Sequence, residues 1–137
     1  MMECIFCKII KKEIPAHIVY EDDDLIAILD ISQSTRGHTL ILPKNHVATL
    51  YDLTPPQAAT IFRQVPEIAR AIQAAFHPIG MNLLVNVNQP MQSVFHLHIH
   101  LIPRYPADNV TMTFQNNMGK ISQDALADIA AKIREQL

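Results

Sequence analysis

The chain has 137 residues, 49% hydrophobic and 18% charged, with a formal net charge of −2 at pH 7. That length suits one domain, 1–137, around one core; lysine and arginine form no basic run, so nucleic-acid binding has no electrostatic support. No apolar run reaches the ~18 residues of a membrane span, the start M-M-E-C-I-F-C-K lacks a signal-peptide layout, and two cysteines in C-x-x-C spacing fit a reducing, cytoplasmic setting better than a disulfide scaffold.

Cys4 to Lys12 reads as a short helix with Ile5, Phe6, Ile9 and Ile10 on its apolar side, ended by Pro15 because the residue before proline avoids the helical region. His17–Glu21 and Leu25–Leu29 read as strands joined by the polar turn Asp22–Asp24. A polar loop from Asp30 to Arg36, closed by Gly37, leads to a third strand at His38–Leu42 that Pro43 stops. Thr54-Pro55-Pro56-Gln57 is a helix start with a capping box and proline in the first turn. Ile61, Val65, Ile68, Ala69, Ile72 and Phe76 then recur at helical spacing, with a kink expected at Pro66 and an end at His77-Pro78. Met81–Val87 reads as a fourth strand and Asn88–Gln92 as a turn. Pro103–Lys120 is a long polar segment with at most a short strand at Thr111–Phe114. A last amphipathic helix, capped by Ser122, carries Leu126, Ile129, Ala130, Ile133 and Leu137. The order α-β-β-β-α-β-β-α, with short links between neighbouring strands, predicts an α+β domain: an antiparallel five-stranded sheet with helices packed on it.

The stretch Val94–Ile102, V-F-H-L-H-I-H-L-I, is the focus of the chain. Strict alternation predicts a fifth, central strand with Phe95, Leu97, Ile99 and Leu101 toward a core. His96, His98 and His100 would then share the other face at roughly 6.5–7 Å spacing. Three charged imidazoles in a row would repel one another, so neutral rings are favoured, able to serve as nucleophile, base or metal ligand. A solvated face that merely carries histidine is the bland alternative.

Two sites compete for these histidines. Cys4 and Cys7 make half of a zinc site, which needs two further ligands; His46 and His96 are candidates, although spacing does not bring the four together. Small core residues, or a redox pair without the usual βαβ surroundings, are the other readings of Cys4 and Cys7. His98 in mid-row is placed to attack phosphorus, its tautomer fixed by whatever holds the other ring nitrogen. Ser93 and Gln92, just before the strand, are possible donors to a phosphate oxygen or simply turn residues.

His96-Leu97-His98-Ile99-His100-Leu101-Ile102 resembles the motif of the histidine triad (HIT) family, in its Hint-like branch. C-I-F-C-K-I-I at 4–10, E-I-P-A at 13–16, L-D-I-S at 29–32, G-H-T-L-I-L-P-K at 37–44 and Q-S-V-F at 92–95 resemble further family blocks in order. The resemblance implies the HIT-like fold, with the sheet extended across a homodimer. It implies a covalent nucleotidyl intermediate on His98, phosphate and leaving-group contact by His100, and His38 in the same relay. It implies that Asp30 grips the ribose hydroxyls, that Phe6, Ile9, Ile28, Leu29 and Ile31 line a slot for the base, and that Asn86 and Ser93 stand beside the phosphate. In zinc-containing members the ligands match Cys4, Cys7, His46 and His96, a structural ion with no catalytic metal required. One departure stands out. The family's glycine-rich turn is here Asn88-Gln89-Pro90-Met91, without the glycine that lets backbone N–H groups approach a phosphate.

The expected activity is hydrolysis or nucleotidyl transfer at the α-phosphate of a purine nucleoside phosphoramidate or a dinucleoside polyphosphate, releasing a nucleoside monophosphate. Two alternatives differ in kind. A metal-dependent hydrolase would use His98, His100 and His38 around a catalytic ion. A regulatory module would hold a nucleotide with little turnover, as the altered turn suggests.

Overall fold

The structure is a computed structural model describing residues 3–137, so the first two residues of the stretch inspected for a leader lie outside it. The elements are α1 (Ile5–Ile10), β1 (Ile18–Glu21), β2 (Leu25–Leu29), β3 (Thr39–Pro43), α2 (Pro55–Phe76), β4 (Gly80–Leu84), β5 (Ile99–Arg104) and α3 (Gln123–Arg134), with a short 3-10 turn at Leu50–Asp52 before α2. Every pairing is antiparallel, in the order β1-β2-β3-β5-β4. The five-stranded α+β architecture is therefore as predicted, but β3 is the central strand and β5 lies beside it.

The apolar runs of β2 and β3 are buried on both faces. Leu25, Ala27 and Ile41 meet Ile61, Val65, Ile68 and Ile72 of α2 on one side. Ile26, Ile28, Leu40 and Leu42 meet Phe6 and Ile9 of α1 on the other. A strand covered on both faces has no polar side to show, which is why these segments read as continuous hydrophobic runs. Burying a side chain such as Phe6 or Ile9 contributes about 1.5–3 kcal/mol, so α1, though short, is firmly seated.

Local signals set the helix ends. Thr54 Oγ1 accepts the Gln57 N–H at 3.4 Å and Gln57 Oε1 accepts the Thr54 N–H at 2.9 Å, completing the capping box before α2. Pro66 lies inside α2 on its exposed side, and His77 closes the helix in the left-handed conformation at φ 51°. Helix α1 ends earlier than Pro15 requires, because Lys12 turns left-handed at φ 64°. The Thr111–Phe114 segment forms no strand. Ser122 caps α3, yet no α3 residue is buried, so this helix does not pack on the sheet as expected. Among the described residues no helix is long and apolar enough to cross a membrane.

The largest correction concerns the triad stretch. Regular strand begins at Ile99, not Val94. Thr39 pairs with Leu101, Leu40 with His100 and Ile41 with Ile99; continued, that register would set Pro43 opposite Leu97. Proline has no N–H for the ladder, and the Pro43 carbonyl already accepts the His96 Nε2–H at 2.7 Å. Residues 94–98 therefore leave the sheet, the apolar alternation fails at partly exposed Phe95, and His96 parts from the other two rings.

Candidate active site

A cleft of about 530 Å³ opens between α1 and the sheet face that carries His100, a size typical of small-ligand pockets. Its apolar side includes Phe6, Ile9, Ile28, Leu29 and Leu40, with Ile31 on the rim at 93% exposure. Its polar groups are His17, Asp30, Asn86, Ser93, His98 and His100. Ile14, Pro15, Ala16 and His17 form a further wall of the cleft, although the sequence marks them only as the end of one helix and the start of a strand. Among the described residues that line the cleft, none is lysine or arginine.

Carbonyl oxygens only accept, so they fix the imidazole tautomers. His98 Nδ1 lies 2.7 Å from the His96 main-chain oxygen and must carry the proton donated there. In neutral His98 the lone pair is then on Nε2. Phe6 packs edge-on against this ring at 5.1 Å between centroids and limits its rotation.

His38 and His100 share one proton between Nε2 and Nδ1, 2.9 Å apart. His38 is buried and its Nδ1 has no partner among the described residues. An unfilled acceptor costs less than an orphaned N–H, and Asp30 Oδ2 stands 3.6 Å from Nε2; both place the proton on Nε2. His38 therefore donates, His100 Nδ1 accepts, and neutral His100 carries its N–H on Nε2. Burial lowers the His38 pKa against the opposing pull of Asp30. Burial, then the neighbouring His98 and His38, lowers that of His100 to about 4. Ring centroids of His98 and His100 are 5.0 Å apart, so an acceptor and a neutral donor stand side by side. Asp30, His38 and His100 form a close cluster that excludes His98. Among the described residues, then, the donor atoms of His38 and His100 converge with Asp30 rather than with His98, so His38, His98 and His100 do not form one ligand set.

The remaining triad member serves the other centre. His96 donates from Nε2 to Pro43, which turns its Nδ1 lone pair toward Cys4 Sγ at 3.4 Å and Cys7 Sγ at 3.6 Å. His46 Nδ1 is 3.3 Å from Cys7 Sγ. Zinc bonded to sulfur at ~2.3 Å and nitrogen at ~2.0–2.1 Å, with tetrahedral angles, separates S from N by about 3.6 Å. The four ligand atoms therefore already approximate the corners of such a site, all within 4.8 Å of one another. Burial first, then Cys4, raises the Cys7 thiol pKa; a bound cation reverses that by taking the thiolate. Burial lowers the pKa of His96 despite its bond to Pro43, keeping the ring in its ligating form. The residues fit the ion, which would clamp the start of α1 to the chain after β3 and before β5.

Gln92 does not take the place expected for it beside a phosphate. It is 5% exposed and absent from the cleft lining. Its Oε1 accepts the Asn88 N–H at 2.8 Å, and its Nε2 donates to the Ala48 and Val94 carbonyls at 2.8 and 3.0 Å. It braces the 88–94 turn, from which Met91 enters the cleft lining where the resemblance called for glycine.

The fold and site define a class: a small α+β domain with two imidazoles and a carboxylate lining an apolar cleft. The sequence matches the family described as HIT domain over residues 11–107. A crystal structure of a HIT family protein from Bacillus anthracis is 44% identical, covering 98% of this chain and 97% of that one, with a TM-score of 0.95. Adenylylsulfatase HINT3 of Arabidopsis thaliana is 44% identical over 107 residues, 77% of this chain and 54% of that protein. A zinc-bound histidine triad family protein from Mycobacterium smegmatis is 35% identical, covering 96% and 98% of the two chains, with a TM-score of 0.75. The chain belongs to the HIT family of nucleotide-binding proteins and nucleotide hydrolases.

Proposed function

We propose that this protein cleaves a purine nucleotide conjugate at its α-phosphate through a nucleotidyl–His98 intermediate. The observation that carries the reading is the 2.7 Å bond from His98 Nδ1 to the His96 carbonyl, which leaves Nε2 free to attack. Phe6, Ile9, Ile28, Leu29 and Ile31 hold the base, and Asp30 accepts from the ribose hydroxyls. Asn86 and Ser93 hold the phosphoryl oxygens. His98 Nε2 bonds to phosphorus as the bond to the departing group breaks. His100 Nε2–H donates a hydrogen bond to the departing amine, which takes its proton from bulk water, and a second water then cleaves the adduct at phosphorus, frees His98 and releases its proton to solvent. Two in-line displacements give net retention at phosphorus.

A cleft lining without lysine or arginine favours a phosphoramidate or acyl- or sulfo-nucleotide over a dinucleoside polyphosphate, whose extra charges would find no cation. The name of the Arabidopsis relative, an adenylylsulfatase, agrees with a small leaving group. Zinc, which the mycobacterial relative binds, has a structural place for this chain in this reading. We further propose a homodimer in the cytoplasm. Strand β4 has a neighbour on one side only, and Leu126, Ile129 and Ile133 of α3 are each at least 43% exposed; free Cys4 and Cys7 suit a reducing compartment.

Mass spectrometry of an acid-sensitive adduct, trapped by rapid quenching with adenosine 5′-phosphoramidate, tests the chemistry. An adenylyl group on His98 is expected; an adduct on another residue, or full turnover by His98→Asn, overturns the reading.

A further inference from the structure

The loop that joins β2 to β3 carries both Asp30 and His38, and one side chain within it ties them together. Gln33 Nε2 donates to the main-chain oxygens of Asp30 and His38, each at 2.7 Å. Its Oε1 accepts the Gly37 N–H at 2.9 Å. The backbone adds Asp30 N–H to the His38 carbonyl at 3.0 Å and Gln33 N–H to the Asp30 carbonyl at 3.1 Å. Gln33 itself is held left-handed, at φ 42°, a conformation that needs compensation in a residue other than glycine; these three side-chain bonds supply it.

Only a primary carboxamide offers two N–H donors and an acceptor on one planar group of this reach. Glutamate keeps the shape but, ionised, sets a carboxylate against two carbonyls. The loop is anchored from outside as well. Thr35 Oγ1 donates to the Pro103 carbonyl at 2.5 Å, and Tyr105 Oη donates to the Arg36 carbonyl at 2.6 Å. A Cβ at Gly37, where φ is +94°, would lie 3.0 Å from Phe76 Cδ2. The outer ties fix the arc, while Gln33 fixes its two ends relative to each other.

Those ends carry Asp30, which lines the cleft, and buried His38, which reaches it through His100. Asp30 Oδ2 is 3.6 Å from His38 Nε2, which is 2.9 Å from His100 Nδ1. We infer that Gln33 is a positioning residue that sets the sugar-facing carboxylate of Asp30 and the His100 tautomer together, through the two carbonyls it bridges. This rests on the nucleotide reading above. Misplacement by ~1 Å is enough to cost a well-aligned site about 10²-fold.

The test compares wild type with Gln33→Met and the isosteric Gln33→Glu, by calorimetric binding of AMP and 2′,3′-dideoxy-AMP and by ¹⁵N NMR of the ring nitrogens. Wild type is expected to prefer AMP by about tenfold or more, as hydrogen bonds to a carboxylate imply. In both variants the preference falls toward unity, and the Nε2–H form of His100 gives way to a mixture of tautomers. Lowering the pH until the introduced glutamate protonates restores one donor and part of the preference in Gln33→Glu, but not in Gln33→Met. An unchanged preference and an unchanged His100 spectrum in folded variants overturn the inference, leaving Gln33 a purely structural residue. If wild type shows no preference for AMP, the role given to Asp30 fails, and the ring-nitrogen spectra alone decide whether Gln33 sets the His38–His100 pair.

Discussion

His98 Nδ1 donates to the main-chain oxygen of His96 at 2.7 Å, so one histidine of the triad sets the tautomer of the next through its backbone while its own ring faces the cysteines. The bond aims one ring atom at the cleft. His98→Asn keeps a donor to that carbonyl but removes the Nε2 lone pair. The expected loss in kcat/KM is roughly 10³-fold or more, as for other nucleophile deletions, with nucleotide monophosphate affinity changed much less. Steady-state kinetics beside calorimetry on the same preparation separate the two quantities.

His100 gives a pH signature in stability. Its pKa is about 4 in the fold against 6.5 in the unfolded chain. Between these values the unfolded state binds the extra proton, so stability is fully present above pH 6.5 and is lost as the pH falls toward 4. With allowance for partial exposure the loss is on the order of 2 kcal/mol. Denaturant melts from pH 7 to 4 should show this decline, and His100→Gln should reduce it; the slope left over includes His38, whose pKa burial also lowers, and carboxylates held low in the fold such as Glu21 and Asp30.

Removing zinc tests what the cysteine centre does. An ion on Cys4, Cys7, His46 and His96 would join α1, which supplies Phe6 and Ile9 to the cleft, to two other segments. Chelation, or Cys7→Ser, is expected to lower Tm by roughly 10 °C or more. Activity measured well below the new Tm should persist. Reversible loss of turnover in protein that circular dichroism shows to be folded would instead favour a catalytic metal.

The uncovered side of α3 predicts self-association. Ile129 and Ile133 are 49% and 61% exposed, and an apolar stripe on an amphipathic helix calls for a partner surface. Analytical ultracentrifugation should find a dimer in wild type and a shift toward monomer in Ile129→Glu/Ile133→Glu. A wild-type monomer at tens of micromolar would dispose of the dimer.

The sequence by itself determined a good deal. Apolar runs announced β2 and β3, Thr54-Pro55-Pro56-Gln57 announced α2, and C-x-x-C with the triad announced two chemical centres, because each of these is a local pattern. Tertiary structure decided the rest. The alternation in 94–102 promised three rings on one strand, but a pairing partner ending in Pro43 cannot continue the ladder, so the strand starts late and His96 joins the cysteines. Gln92 looked like a phosphate donor until three backbone groups from two segments occupied its carboxamide. The tautomers of His98 and His100 follow from which atom lies across a 2.7 or 2.9 Å gap. The 2.7 Å gap depends on residues 94–98 leaving the sheet, and the 2.9 Å gap on the fold bringing residues 38 and 100 together from distant parts of the chain.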